Sequence, residues 1–313
     1  MGLIKRPSQL TPKQVLTCML YGQPGIGKTT LACSAPSPVL LDYDGGISRV
    51  NGAHQCDTVQ VSSWEDTQEA LKEIAEAGDT YQTVIIDTVG KMLNYMEDYI
   101  KRTQPRLKQM DGTLSLKGYG VRKQMFLQLL KDTSVMGKNI IFVAHEREER
   151  DGDDKIVRPE SGSAANDLVK ELDLVGYMQA VGTDRTITFD PQERFYAQNT
   201  VDMHGVIKIP VVVDNQGIAT GQNNFLARVI ERYEDRQKET IKETAKFEAQ
   251  MQEFADQLKE VQTAEQLNAL LEQCRATEWL FNGKTAAAQM INREAAKLNL
   301  HYNKTKRSYE QRD

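Results

Sequence analysis

Gly22-Gln23-Pro24-Gly25-Ile26-Gly27-Lys28-Thr29-Thr30 is the stretch that decides the fold. It reads glycine, four residues, then Gly-Lys-Thr, the pattern of a loop that wraps a phosphate. Upstream, Val15 to Tyr21 is an apolar, partly β-branched run suited to a buried strand. Downstream, Thr29-Thr30-Leu31-Ala32-Cys33-Ser34 starts a helix that Pro36 ends. Strand, glycine loop and helix N-terminus therefore follow one another. The glycines let backbone N–H groups curl around an anion, and the helix N-terminus adds partial positive charge. Gly22 to Thr30 are the expected nucleotide-binding residues. Lys28 is expected to reach the β- and γ-phosphates of ATP, and the Thr29 hydroxyl to ligate Mg²⁺.

Further strands end in acids. Val39-Leu40-Leu41-Asp42 is a second buried strand, followed by Tyr43-Asp44-Gly45-Gly46. Thr83-Val84-Ile85-Ile86-Asp87 is a third apolar run, the Walker B element, whose Asp87 is expected to hold Mg²⁺ with Thr29. Thr88 follows it, so no second acid stands beside Asp87 to activate water. Asp44 is the expected general base, with Asp42 as the alternative. Asn139 to Ala144 is another buried strand, ending at His145 on the edge where ligands of open α/β sheets sit. His145 reads equally as a γ-phosphate sensor and as an ordinary strand-end histidine.

The rest of the chain gives the architecture. Residues 1–13 read as an arm. Ser63 and Asp66 form a capping box for a helix from Trp64 to Ala77, and Gly90 to Lys101 is helical. Residues 102–120, with Pro105 and three glycines, read as a long loop before a helix from Val121 to Met136. Residues 146–163 read as a second, charged loop, and Ala164 to Leu174 as a helix. Strand patterns then recur at 176–180, 185–189, 195–197 and 206–213. This is an α/β chain with a mostly parallel sheet and an antiparallel extension. Residues 14–222 are expected to form the ATPase core. Residues 223–313 are expected to form a C-terminal helical region with helices over about 225–258, 264–275 and 284–298.

The set Gly-x-Pro-Gly-x-Gly-Lys-Thr, Leu41-Asp42-Tyr43-Asp44-Gly45-Gly46, Val84-Ile85-Ile86-Asp87-Thr88 and Phe142-Val143-Ala144-His145-Glu146, in this order, resembles the phage-encoded RecA-like ATPases of the Sak group of single-strand annealing recombinases. The likeness covers about residues 14–215. It implies a RecA-like P-loop NTPase core, ATP-dependent handling of single-stranded DNA in recombination, a homo-oligomer (ring or filament) and a bacterial host. It places the catalytic acid at Asp44, where the family has Glu, and the sensor at His145. Many members carry a Lys-x-Arg pair acting on the neighbouring subunit's ATP. The matching Ala197-Gln198-Asn199-Thr200 lacks both charges, leaving Arg194 and Lys208 as nearby substitutes.

Charge bounds the DNA contact. The chain of 313 residues has net charge −5, so any nucleic-acid site must be a local patch. Residues 101–123 hold seven bases (Lys101, Arg102, Arg106, Lys108, Lys117, Arg122, Lys123) against Asp111, with Tyr119 as a stacking face. Arg106, Lys108, Lys117, Tyr119 and Arg122 are the expected contacts, together with Arg158 from the otherwise acidic 146–160. A solvated basic loop is the other reading of this stretch. The tail from Arg293 carries six bases against three acids and reads as a contact for DNA, a contact for a partner such as a single-stranded-DNA-binding protein, or a loose end. The four cysteines show no Cys-x-x-Cys spacing, which argues against zinc and disulfides and for a cytoplasmic setting. No apolar run approaches the ~20 residues of a membrane span, and the N-terminus lacks a signal-peptide core. Three functions remain open: a recombinase, a ring helicase or translocase, and a nucleotide-gated binding module.

Overall fold

The computed structural model describes residues 3–11, 13–151, 154–160 and 169–311. The helix expected over 164–174 lies mostly outside these residues. The chain divides into two compact units. One spans Lys13–Glu234. The other joins the N-terminal arm to the chain from Asp235 onward.

The first unit is built on a sheet whose strands are β1 (Thr17–Gly22), β2 (Pro38–Asp42), β3 (Asp57–Gln60), β4 (Thr83–Asp87), β5 (Asn139–Asp151), β6 (Asp154–Pro159), β7 (Leu174–Val181), β8 (Asp184–Thr188) and β9 (Ile207–Ile209). Their order is β3-β2-β4-β5-β1-β7-β8-β9. Pairing is parallel from β3 through β7, while β8 and β9 add antiparallel. The fold expected from the sequence, a P-loop NTPase core with a mostly parallel sheet and an antiparallel extension, is the fold observed.

The buried strands carry apolar residues on both faces, and alternation sends successive side chains to opposite sides. Val84 and Ile86 of β4 join one core with Trp64, Met92, Met96 and Phe126. Those partners come from α2 (Trp64–Glu76), α3 (Val89–Thr103) and α4 (Leu116–Val135). Ile85 joins the other core with Leu31 of α1 (Lys28–Ala32) and Leu226, Val229 and Ile230 at the start of α5 (Phe225–Lys259). Each fully buried aliphatic side chain contributes about 1.5–3 kcal/mol. Ser63 and Asp66 form the capping box that opens α2.

Three expectations are corrected. Residues 102–120 are not one long loop, because α4 begins at Leu116 and runs through Gly118 and Gly120. Gly118 is a packing residue: a Cβ there would lie 3.0 Å from Leu114 Cδ2 and 3.3 Å from Leu107 O. The described residues 146–151 and 154–159 are not a loop either. β5 continues past His145 and pairs antiparallel with β6. Among its described side chains only Val157 and Pro159 are buried, so it leaves no apolar alternation to read. The strands expected at 195–197 and 206–213 shrink to isolated bridges at Phe195 and Gln198 and to the three-residue β9.

In the second unit, the later part of α5 packs with α6 (Ala264–Ala276) and α7 (Gly283–Lys297) around Phe254, Leu258, Leu267 and Ile291. Thr263 and Gln266 close the capping box of α6. The arm is tied in by Ser8, whose N–H donates to Glu248 Oε1 over 3.2 Å. A hairpin of β10 (Leu300–Asn303) and β11 (Ser308–Gln311) ends the chain, an element the sequence reading does not contain. Of its residues only Leu300 and Tyr309 are buried, too few to mark a strand pair.

Candidate nucleotide site

β1, β2, β4 and β5 run parallel, so their C-terminal ends share one edge. Across the ladder Asp42 lies opposite Asp87, and Gly22 opposite His145. The four motifs that are scattered over 120 residues of sequence therefore meet through sheet register.

The loop between β1 and α1 has the geometry its glycines demand. A Cβ on Gly22 would lie 2.5 Å from Met178 O, so no larger residue lets β1 pass β7 here. Gly27 has φ 92°, a left-handed conformation that turns the chain into α1. Gln23, Pro24, Gly25 and Gly27 are exposed, while Ile26 is buried as the loop's anchor. Thr30 is half-buried, and its carbonyl accepts from Asn223 Nδ2 over 2.6 Å.

Lys28 is buried, and its Nζ donates to Gly22 O (2.9 Å) and Gln23 O (2.7 Å), the carbonyls of its own loop. Burial holds its pKa down at about 8, against the pull of Asp87, Glu146 and Asp44. An ammonium held this way gains from any anion placed beside it.

Thr29 Oγ1 donates to Asp87 Oδ2 over 2.6 Å. Asp87 is 3% exposed, and burial pushes its carboxyl up to about 6; Asp44 and Asp42 add to the rise, and Lys28 opposes it. A hydroxyl and a carboxylate, both hard oxygen donors amid surplus negative charge, suit Mg²⁺. Among the described residues no group of three or more His, Cys, Asp or Glu could hold a metal, so a protein-only cage is not present there. Thr29 and Asp87 fit an ion that arrives with nucleotide phosphates.

Asp42 and Asp44 have different tasks. Asp42 is 3% exposed and accepts from the N–H groups of Gly46 (2.9 Å), Ile47 (3.1 Å) and Asp44 (3.3 Å). It folds the turn after β2. Asp44 Oδ1 is buried and has no hydrogen-bond partner, with the Arg49 guanidinium 3.8 Å away. A Cβ on Gly46 would lie 3.2 Å from Asp44 Oδ1 and 3.6 Å from Asp87 Oδ2, so both carboxylates converge on that glycine. Of the two acids, Asp44 keeps a lone oxygen for a ligand. Sequence reasoning passed over Arg49; its only signal is a base three residues after the Gly45-Gly46 turn.

His145 Nδ1 is likewise buried without a partner, as is Glu146 Oε2. Burial lowers the His145 pKa, and Lys28 lowers it further, so the ring is neutral at pH 7. His145 and Asp44 both line a cavity of about 220 Å³ with Thr88, Lys91, Asn94 and Arg147. Beside the loop a second cavity of about 220 Å³ is lined by Ile26, Met178, Ile209, Pro210 and Val212 together with the polar Thr30, Thr183, Arg185 and Asn223. Apolar side chains interspersed with hydrogen-bonding groups beside a phosphate loop suit a flat base.

The expected DNA residues fare unevenly. Arg106, Lys108 and Lys117 are exposed. Arg122 is not available: it is 2% exposed, pairs with Glu97, and lies over the Tyr119 ring at 4.9 Å. Its burial on α4 sets it apart from the exposed Arg106, Lys108 and Lys117, and its Nη2 is buried with no hydrogen-bond partner. The same stacking covers one face of Tyr119. Arg158 is half-buried, and its Nε donates to Glu149 over 2.9 Å within the β5–β6 hairpin. Gln198 exchanges backbone hydrogen bonds with Val175, and Lys208 pairs with Asp184 at 2.8 Å. Among the described residues no helix is long and apolar enough to cross a membrane.

Comparison with known families agrees with this geometry. A family model described as an AAA domain matches residues 14–201, the span that holds all four strand-end motifs. No curated protein matches the chain.

Proposed function

This chain belongs to the AAA-domain family of P-loop ATPases, and from that premise we propose that it is an ATP-dependent recombinase that binds single-stranded DNA and promotes annealing or strand exchange. The observation that carries the nucleotide part is the cluster of buried, unpartnered polar atoms on Asp44, His145 and Glu146 beside Lys28, Thr29 and Asp87. Buried polar atoms are nearly always satisfied, so a group of orphans at one sheet edge marks where a polar ligand belongs.

Lys28 leaves its loop carbonyls for the β- and γ-phosphates of ATP. Asp44 accepts the proton of the attacking water, and neutral His145 hydrogen-bonds at the γ-phosphate end. Thr29 and Asp87 hold Mg²⁺, which supplies charge neutralisation at the phosphates. The mixed apolar and polar cavity by Met178 takes the base.

The DNA part rests on the likeness to the Sak group and on the exposed Arg106, Lys108 and Lys117. In this reading the protein works as a homo-oligomer, a ring or a filament, in the cytoplasm of a phage-infected bacterial host. The C-terminal unit is the contact for a single-stranded-DNA-binding protein.

The test is ATP turnover of wild type and Lys28→Ala, with and without a single-stranded oligonucleotide. Lys28→Ala should lose at least about 10²–10³-fold, the loss typical of removing one electrostatic contact to the reacting centre. The oligonucleotide should stimulate wild type and leave the variant inactive. Turnover indifferent to DNA would favour a nucleotide-gated module, and ATP-driven duplex unwinding would favour a motor.

A further inference from the structure

Cys33 and Cys56 lie 23 residues apart in sequence, yet their sulfur atoms are 3.4 Å apart, thiol to thiol. Cys33 is the C-cap of α1, the helix that begins at Lys28 and Thr29. Cys56 immediately precedes β3, which pairs with β2, the strand leading into Asp44. Both residues are half-buried, and Cys33 lines a cavity of about 470 Å³ with His54, Gln55 and Asn223. The other two cysteines are different. Cys18 is fully buried in the sheet, and Cys274 is 3% exposed in the C-terminal unit. Among the described residues no third metal-ligating side chain joins the pair, so a metal site does not explain it.

We propose that Cys33 and Cys56 are a peroxide-oxidisable dithiol that closes into a disulfide and ties the end of the phosphate-loop helix to the strand beside the catalytic acid. Cys33 sits at the C-terminal end of α1, whose partial negative charge disfavours a thiolate, while the contact with Cys33 lowers the Cys56 thiol from its ordinary range. Cys56 is therefore the attacking thiolate and Cys33 the resolving thiol. The Cys56 thiolate attacks one oxygen of hydrogen peroxide, and the O–O bond breaks. A proton completes the departing water, leaving Cys56 as a sulfenic acid. Cys33 sulfur then attacks Cys56 sulfur; the S–O bond breaks, and the hydroxyl leaves as water with the Cys33 proton. In sum, two thiols and one peroxide give one disulfide and two waters. The closed loop contains Asp42, Asp44 and the Gly45-Gly46 turn, so oxidation restrains the acid's turn and the Lys28 helix together.

The test uses the full chain. Reduced protein is treated with hydrogen peroxide, free thiols are blocked with N-ethylmaleimide, and peptides are mapped by mass spectrometry. The expected result is a Cys33–Cys56 cross-linked peptide within one chain, two blocked thiols at Cys18 and Cys274 under denaturing conditions, and full reversal by dithiothreitol. In Cys33→Ser the sulfenic acid at Cys56 should persist and be trapped by dimedone; in Cys56→Ser trapping at Cys33 should fall at least tenfold. Thermal unfolding of the oxidised wild type should shift upward and return on reduction, a readout that needs no variant. Oxidation spread evenly over all four cysteines, cross-links between chains, or unchanged thiols would overturn the proposal. This chemistry is read without nucleotide, so its outcome is separate from that of the ATPase reading.

Discussion

The phosphate edge and the basic stretch at 101–123 were both picked out of the sequence, and folding treated them in opposite ways. At the edge, Lys28, Asp44, Asp87 and His145 converge, and Asp44 Oδ1 and His145 Nδ1 are left for a ligand. In the basic stretch Lys101, Arg102 and Arg122 turn inward or pair, and Arg106, Lys108 and Lys117 stay exposed. Arg122 is buried on Glu97, Lys101 sits 3.7 Å from the same carboxylate, and Arg102 pairs with Glu65. The first reading rested on backbone geometry: glycines at required positions and acids at strand ends. The second rested on a charge count, which carries no direction. A cation near a helix serves the helix surface as readily as it serves a polyanion.

The largest effect that would sharpen this contrast is at the two β2 acids. Asp44→Asn should lower ATP turnover by about 10²–10⁴-fold with nucleotide affinity nearly unchanged, as expected for loss of a general base. Asp42→Asn should instead cost about 1–3 kcal/mol of stability, because its oxygens accept three backbone N–H groups. Single-turnover kinetics and chemical denaturation separate the two. If Asp42→Asn shows the large rate loss and Asp44→Asn does not, the base has been misassigned.

Next in size is Arg122→Ala, which removes the buried partner of Glu97 and leaves it Lys101 at 3.7 Å. Loss of stability on the order of 1–3 kcal/mol is expected from losing this charged hydrogen bond, read in a urea titration. DNA affinity of the folded fraction should hold. A stable variant with weakened DNA binding would restore Arg122 to the DNA site and erase the contrast.

A smaller effect concerns pH. The folded state raises the Asp87 pKa from 3.8 to about 6, so it binds that proton more tightly than the unfolded chain does. This group's contribution to stability is most favourable below 3.8 and falls as pH rises through 6. Without nucleotide, Asp87→Asn should therefore be more stable than wild type at pH 7.5, by about 1–3 kcal/mol. The gap should shrink toward pH 4. A thermal-melt series across pH reads it, and a constant or inverted gap would mean that burial does not raise the Asp87 carboxyl.

The smallest effect is at the exposed cations. Replacing Arg106, Lys108 and Lys117 together by Ala should flatten the slope of log affinity against log salt by up to roughly 2, at about 0.7 per phosphate on a single strand. Fluorescence anisotropy of a labelled oligonucleotide over a salt series measures it. An unchanged slope would move the DNA contact away from this stretch.

The core's strands and the helices α2, α3 and α5 to α7 were legible because each carries a strong periodic or capping signal, such as Ser63 with Asp66 or Thr263 with Gln266. The β5–β6 and β10–β11 hairpins were not. Their residues are mostly charged or polar, and the apolar alternation that betrays a strand is missing where little is buried. Gly118 misled for the reverse reason, since a glycine chosen for tight helix packing reads like a loop glycine, whereas Gly120 has open space beside it.

What the sequence determined by itself is local: where the chain must turn at Gly22 and Gly27, which strands are buried on both faces, and which acids end them. These follow from sterics and burial, which act over a few residues. Tertiary structure alone decided which of two neighbouring acids is spent on backbone N–H groups and which is left open. It alone decided that Arg122 faces Glu97, and that Cys33 meets Cys56. Each of these depends on the direction of a side chain relative to a segment far away in sequence. Direction is fixed only when the sheet registers β2 against β3 and β4 and packs the helices onto its faces.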